Sequence, residues 1–192
     1  MNTPDLSTTR YEIEIKLPVA DLGAVREKLL ARDARPITDP HFESNDLYDQ
    51  ADGGLAKSGR VLRLRRTEDG ATLTFKGPAR FENGAKTREE RETAVSDPNE
   101  MERILGALGF ERRFRYEKRR EEWSLDECVI ALDETPIGTF AEVEGDPAAI
   151  RRALQHLVLD PADSLPYSYA ELYARRRRED PTLPADMLLG DA

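Results

Sequence analysis

The chain has 192 residues, with 29 Lys+Arg against 38 Asp+Glu for a net charge of −9, and is 39% hydrophobic and 35% charged. That composition suits one soluble globular domain able to bury its own core, and the acidic balance disfavours general nucleic-acid binding, which needs a net positive footprint. One cysteine leaves no intrachain disulfide, residues 1–10 lack the apolar run of a secretion signal, and no stretch of about 18 apolar residues occurs, so a cytoplasmic protein without a membrane span is expected.

Residues 11–17, Tyr-Glu-Ile-Glu-Ile-Lys-Leu, alternate polar and apolar with the period of a strand. Asp21 reads as a helix cap, and Leu22, Val25 and Leu29 form the stripe of a helix over 21–32. Residues 33–59, rich in Asp, Pro and Gly, are expected to be mostly loop, with a short strand near Leu47-Tyr48. Residues 60–66 and 71–77 read as a hairpin around Asp69-Gly70, a dipeptide suited to the positive φ of a tight turn. A strand is expected over 86–95, although 86–92 has no apolar face. Asp97-Pro98 and Asp146-Pro147 each set a cap before a proline in the first helical turn. They open helices with the stripes Met101, Ile104, Leu105 and Leu108, ending at Gly109, and Ile150, Leu154 and Leu157. Strands over 114–125, 128–133 and 139–144 and a helix over 167–178 follow, and the ends, 1–10 and 179–192, are expected to be flexible around a single domain, 11–178. At least seven strands joined by mostly short turns predict an α+β fold, an antiparallel sheet or barrel with helices outside.

Each strand has one charged face. Those faces hold Glu12, Glu14 and Lys16; Arg63 and Arg65; Thr72, Thr74 and Lys76; Arg88, Glu90 and Glu92; Lys118 and Arg120; Asp133; and Glu142 and Glu144. The opposite faces, with Ile13, Ile15, Leu62, Leu64, Leu73, Phe75, Ile130, Leu132 and Val143, are apolar and suited to cover by helices. For one strand a charged face is ordinarily solvated; across seven, closure of the sheet would turn the charges inward around a small ligand. Acids and bases in such an interior need partners, and two readings stand level: salt-bridge ladders without a ligand, or a polyanion bound by Arg and Lys together with a hard divalent cation held by Glu. With only His41, His156 and an isolated Cys128, a zinc site is disfavoured, and Mg²⁺ or Mn²⁺ is implied.

Glu12-Ile-Glu14-Ile-Lys16 resembles the ExExK signature of the CYTH, or triphosphate tunnel metalloenzyme, family. Leu62-Arg63-Leu64-Arg65, Thr74-Phe75-Lys76-Gly77-Pro78, Arg88-Glu-Glu90-Arg-Glu92, Lys118-Arg-Arg120, Leu132-Asp133 and Gly138-Thr-Phe140-Ala-Glu142-Val-Glu144 fall in the family's order. The resemblance implies an eight-stranded antiparallel β-barrel, a tunnel that takes a small-molecule triphosphate with divalent metal. It implies Glu12, Glu14 and Glu144 as metal ligands with Glu142 and Asp133 in or beside that shell, and Arg63, Arg65, Lys76, Lys118, Arg120 and Arg88 as phosphate-binding residues. Lys16 would face the reacting phosphate, with Tyr48 of Asp46-Leu47-Tyr48-Asp49 as its partner or, equally, an ordinary aromatic of the barrel mouth. The Thr-Phe-Lys-Gly-Pro segment, the stretch through Glu144-Gly145 and Ser168-Tyr169-Ala-Glu-Leu172 resemble most the class IV adenylyl cyclase branch, which forms cyclic AMP and pyrophosphate from ATP. The alternative is a hydrolase acting on tripolyphosphate, thiamine triphosphate or a nucleoside triphosphate; a non-catalytic binding module is disfavoured by the complete carboxylate set. Family analogy also allows a homodimer.

Gly53-Gly54-Leu-Ala-Lys57-Ser58-Gly59-Arg60 lacks the GxxxxGK[ST] order of a phosphate loop and precedes a strand, so it reads as a turn. Arg175 to Arg178, at a helix C-terminus and followed by Glu179-Asp180, read as a solvated run complementing the helix dipole.

Overall fold

The computed structural model describes residues 10–82 and 84–190. Among the described residues nine strands occur in chain order: β1 (Arg10–Pro18), β2 (Arg35–Gln50), β3 (Val61–Thr67), β4 (Gly70–Lys76), β5 (Arg80–Glu82), β6 (Ala85–Val95), β7 (Phe110–Leu125), β8 (Cys128–Thr135) and β9 (Gly138–Glu144). They are hydrogen-bonded in the order β1-β9-β8-β7-β2-β3-β4-β6-β5, and β1 also pairs with β6. That last pairing, antiparallel with Glu12 opposite Arg88, closes eight strands into the antiparallel barrel. The short β5 pairs on the same side of β6 as β4 does, so β4, Gly77 to Ala79 and β5 form one interrupted arm.

The helices are α1 (Leu22–Leu30), α2 (Gly54–Lys57), α3 (Pro98–Ala107), α4 (Pro147–Leu157) and α5 (Tyr169–Glu179). Asp21, Asp97 and Asp146 cap α1, α3 and α4 through their side chains, so the caps read from sequence are the ones used. Helices α1 and α4 cover one outer face, where Val25, Leu29, Ile150, Leu154 and Leu157 pack on Ile15, Leu17, Ile130, Leu132 and Val143. Helix α3 covers another, with Leu105 and Met101 against Leu62, Leu64 and Leu73. Because strand residues alternate, burying these apolar faces outside commits the charged faces to the inside.

Two expectations are corrected. Residues 35–50 form a 16-residue strand rather than a loop. Pro36, Pro40 and an inward face of Glu43 and Asn45 hide it from an apolar pattern, and its pairing with β7 shifts register at Pro36/Thr38 and Thr38/His41. The C-terminal segment is ordered through residue 190. Met187 exchanges backbone hydrogen bonds with Arg115 and Glu117 of β7 at 2.9 Å each, and the Tyr173 hydroxyl donates to the carbonyls of Pro184 and Asp186. Residues 1–9, 191 and 192 lie outside the described residues.

Candidate active site in the barrel interior

Glu12, Glu14 and Lys16 of β1, Arg63 and Arg65 of β3, Lys76 of β4, Arg88 and Glu90 of β6, Lys118 and Arg120 of β7, and Glu142 and Glu144 of β9 surround one cavity of about 1090 Å³. That is at the upper end of small-molecule sites, which run to roughly 1,000 Å³. Strands far apart in the sequence supply these groups because each presents one inward parity to the same space.

One wall is base-rich and organised by two carboxylates. Asp133, with no exposed surface, accepts hydrogen bonds from Lys118 Nζ at 3.0 Å, from Arg120 Nε and Nη2 at 2.8 and 2.6 Å, and from the Tyr169 hydroxyl at 2.6 Å. Burial alone would raise its pKa, but the Arg120 and Lys118 charges hold it below the ordinary aspartate value. Glu142 pairs with Lys16 Nζ at 3.0 Å and with Arg120, and these cations likewise overcome its burial and hold its pKa well below the usual glutamate value. Burial works against the Lys16 ammonium, yet Glu142 and Glu14 more than offset it and raise its pKa. Arg65 reaches Glu43 at 3.1 Å and donates to Asn45 Oδ1 at 3.1 Å, while Arg63 donates to Thr74 at 3.2 Å.

The other wall is acid-rich. Lys76 Nζ lies 2.8 Å from Glu12 and 2.9 Å from Glu90, and Lys86 pairs with Glu14. The Glu144 carboxyl is pushed up to about 7, first by burial and then by the charges of Glu12, Glu14 and Glu90. With the side chains as they stand, no three Asp, Glu, His or Cys groups among the described residues are gathered closely enough to hold an ion. The donor chemistry nonetheless fits a hard divalent cation: oxygen ligands only, crowded enough that one carboxyl is driven toward its protonated form.

The expected site residues thus converge, with three differences. Tyr48 lies on the outer face of β2, packed with Leu64 and Leu105, and its hydroxyl donates to Glu102 of α3 at 2.8 Å. Leu47 takes the inward position in that pair, so Tyr48 is not a partner of Lys16. Asp133 accepts from three residues of the base-rich wall, Lys118, Arg120 and Tyr169, and anchors those bases in this arrangement. Arg88 lines the cavity while its guanidinium donates twice to the Gly77 carbonyl, at 3.1 and 2.8 Å, which ties down the break between β4 and β5.

The sequence reading missed Glu43, Lys86 and Tyr169. Strand parity finds Glu43 once β2 is placed, and it already puts Lys86, the first residue of the strand expected over 86–95, on the face of Arg88, Glu90 and Glu92. Tyr169 reaches the cavity from α5, where no strand period signals it; the family-like segment 168–172 and the Ser168-x-x-Glu171 capping box that starts α5 are the local cues.

A closed antiparallel barrel with paired base-rich and acid-rich walls defines the class: a tunnel built around charge. The family model for the CYTH domain matches residues 10–158, and the chain belongs to that family, whose fold is the triphosphate tunnel. A candidate adenylate cyclase of Methanocaldococcus jannaschii is 28% identical over 134 residues, covering 69% of this chain and 75% of that protein. The crystal structure of a candidate adenylate cyclase from Vibrio parahaemolyticus shares the fold with a TM-score of 0.76 at 23% identity, over 87% of this chain and 99% of that one. So does a Hippeastrum candidate adenylyl cyclase described as having a dominant triphosphatase activity, with a TM-score of 0.64 at 22% identity over 92% and 99% of the two chains. Among the described residues no helix is long and apolar enough to cross a membrane.

Proposed function

We propose that the protein is a metal-dependent enzyme that binds a triphosphate inside the barrel, with ATP cyclisation to cyclic AMP and pyrophosphate as its reaction. The observation that carries this reading is the facing of a base-rich wall and an acid-rich wall across one cavity. Arg63, Arg65, Lys118 and Arg120 supply donors for phosphoryl oxygens, Arg in bidentate form, and Lys76 joins them when it leaves its carboxylates. Glu12, Glu14 and Glu144 would hold Mg²⁺ or Mn²⁺, which when bound neutralises phosphate charge and orients the chain. In the cyclase reaction the ribose 3′-oxygen bonds to the α-phosphorus, the bond from that phosphorus to the bridging oxygen breaks, pyrophosphate leaves, and the hydroxyl proton is released. The Methanocaldococcus relative supports this reading by its name.

Hydrolysis is the second reading, favoured by the Hippeastrum fold neighbour's described activity. There water replaces the ribose hydroxyl and attacks the terminal phosphorus, against the same charge-neutralising wall. The two are separated by product analysis after incubation with ATP, and separately with tripolyphosphate, in Mg²⁺ and in Mn²⁺. Cyclic AMP with pyrophosphate establishes the cyclase; orthophosphate, released fastest from tripolyphosphate and without cyclic AMP, establishes a triphosphatase. Release of neither overturns both.

A further inference from the structure

Helix α5 begins at the cavity wall. Ser168 Oγ accepts from the Glu171 amide at 3.3 Å and the Glu171 carboxylate accepts from the Ser168 amide at 2.7 Å, so the helix start is fixed in two directions. The first helical residue, Tyr169, is 4% exposed and points inward, packed edge-on against Phe140 with ring centroids 5.3 Å apart. Its hydroxyl donates to Asp133 at 2.6 Å, and its ring centroid lies 3.8 Å from Lys16 Nζ and 5.2 Å from Lys118 Nζ.

We propose that Tyr169 is a positioning residue of the tunnel, its ring face seating the Lys16 ammonium and its hydroxyl fixing the carboxylate that Lys118 and Arg120 share. The inference rests on the reading that the tunnel takes a triphosphate. A lysine ammonium on a four-carbon stem is mobile, so an ion pair to Glu142 at 3.0 Å and a long hydrogen bond to the Tyr167 carbonyl at 3.4 Å do not define where it sits. The ring adds a third, desolvated contact without adding negative charge. That difference matters for an anionic ligand. A phosphoryl oxygen approaching Lys16 competes with Glu142 for the ammonium and is repelled by it, whereas the neutral ring neither competes for a hydrogen bond nor repels. Lys16 can thus exchange carboxylate for phosphate while staying on Tyr169. The hydroxyl acts on the same base-rich wall: with Lys118 and two nitrogens of Arg120, it completes the shell of Asp133 and fixes the carboxylate to which the phosphate-binding cations are tied.

The test compares Tyr169→Phe, Tyr169→Leu and Lys16→Met with wild type, in turnover of the better of ATP and tripolyphosphate and in NMR of the Lys16 ε-methylene protons without substrate. A lysine seated on a ring face is shifted upfield by the ring current, a signature that general loss of stability does not mimic. Wild type and Tyr169→Phe are expected to show the shift and Tyr169→Leu to lose it. Loss of a desolvated ring contact is expected to lower kcat about 30-fold in Tyr169→Leu. KM should move less than about threefold, and Tyr169→Phe should recover kcat to within about threefold of wild type. If Tyr169→Leu does not fold, Tyr169→Phe still decides: a folded Phe variant that lacks the upfield shift of the Lys16 ε-methylene protons contradicts the role of the ring. An inactive Lys16→Met beside a fully active Tyr169→Leu overturns the positioning role and leaves the triphosphate reading standing. Absence of the upfield shift from wild type overturns it directly. If wild type turns over neither substrate, the triphosphate reading falls and the positioning role falls with it, the NMR shift then reporting only the contact.

Discussion

Glu43 shows how the interior charges constrain one another. It is buried on β2, which alone would raise its pKa, but Lys118, Arg65, Arg120 and Arg63 surround it and hold it well below the ordinary glutamate value. A carboxylate with a depressed folded pKa adds stability above its unfolded value of about 4.3, and that contribution drains away as the pH falls from there toward the folded value. Thermal midpoints followed by circular dichroism are therefore expected to drop steeply below about pH 4 in wild type and more gently in Glu43→Gln; parallel profiles would remove Glu43 from this role. Cys128 illustrates the opposite shift. The thiol is 2% exposed and its pKa is pushed up to about 11, by burial first and by Asp126 next. It should resist thiol reagents at pH 8 while the protein is folded and react at once in denaturant; fast labelling of the native protein contradicts the burial.

At the scale of elements, the hairpin β3–β4 and the capped helices were legible because local chemistry decides them. Thr67 pairs with Gly70, which carries the positive φ of the turn, 151°, and each Asp-Pro opens its helix. Strand β2 outside the strand expected near Leu47-Tyr48 and the C-terminal segment were not legible, since the partners that hold them lie elsewhere in the chain. β2 is held by its neighbours β3 and β7, and its inward residues answer to cations on other strands. The segment after α5 is held through Met187, fully buried in a cluster with Tyr116, Tyr169 and Tyr173. That cluster connects the tail to the helix that carries Tyr169. Met187→Ala is expected to cost about 2–5 kcal/mol in urea unfolding. It should also lower turnover by loosening α5, whereas unchanged stability would mean that the tail is not part of the fold.

For the whole molecule, the inward placement of charge was visible in the sequence because seven alternating strands can bury only one of their two faces under helices. The apolar residues choose the outside, so the charged ones inherit the tunnel. Which charges pair with which was not visible, because pairing depends on closure of β1 against β6 and on how far each side chain reaches across the cavity. The same limit explains Tyr48 and Tyr169. The first sits in the segment matching the family pattern but has the outward parity, and the second arrives from a helix near the other end of the chain. The central claim is that these walls form one triphosphate site, and equilibrium titration of a non-hydrolysable ATP analogue with Mg²⁺ tests it most directly. Wild type should bind one analogue per chain, and Arg63→Ala combined with Lys118→Met, each removing a charge-assisted contact of about 1.5–3 kcal/mol, should weaken binding at least about 100-fold while the protein stays folded. Equal affinities in the two folded proteins would contradict the account.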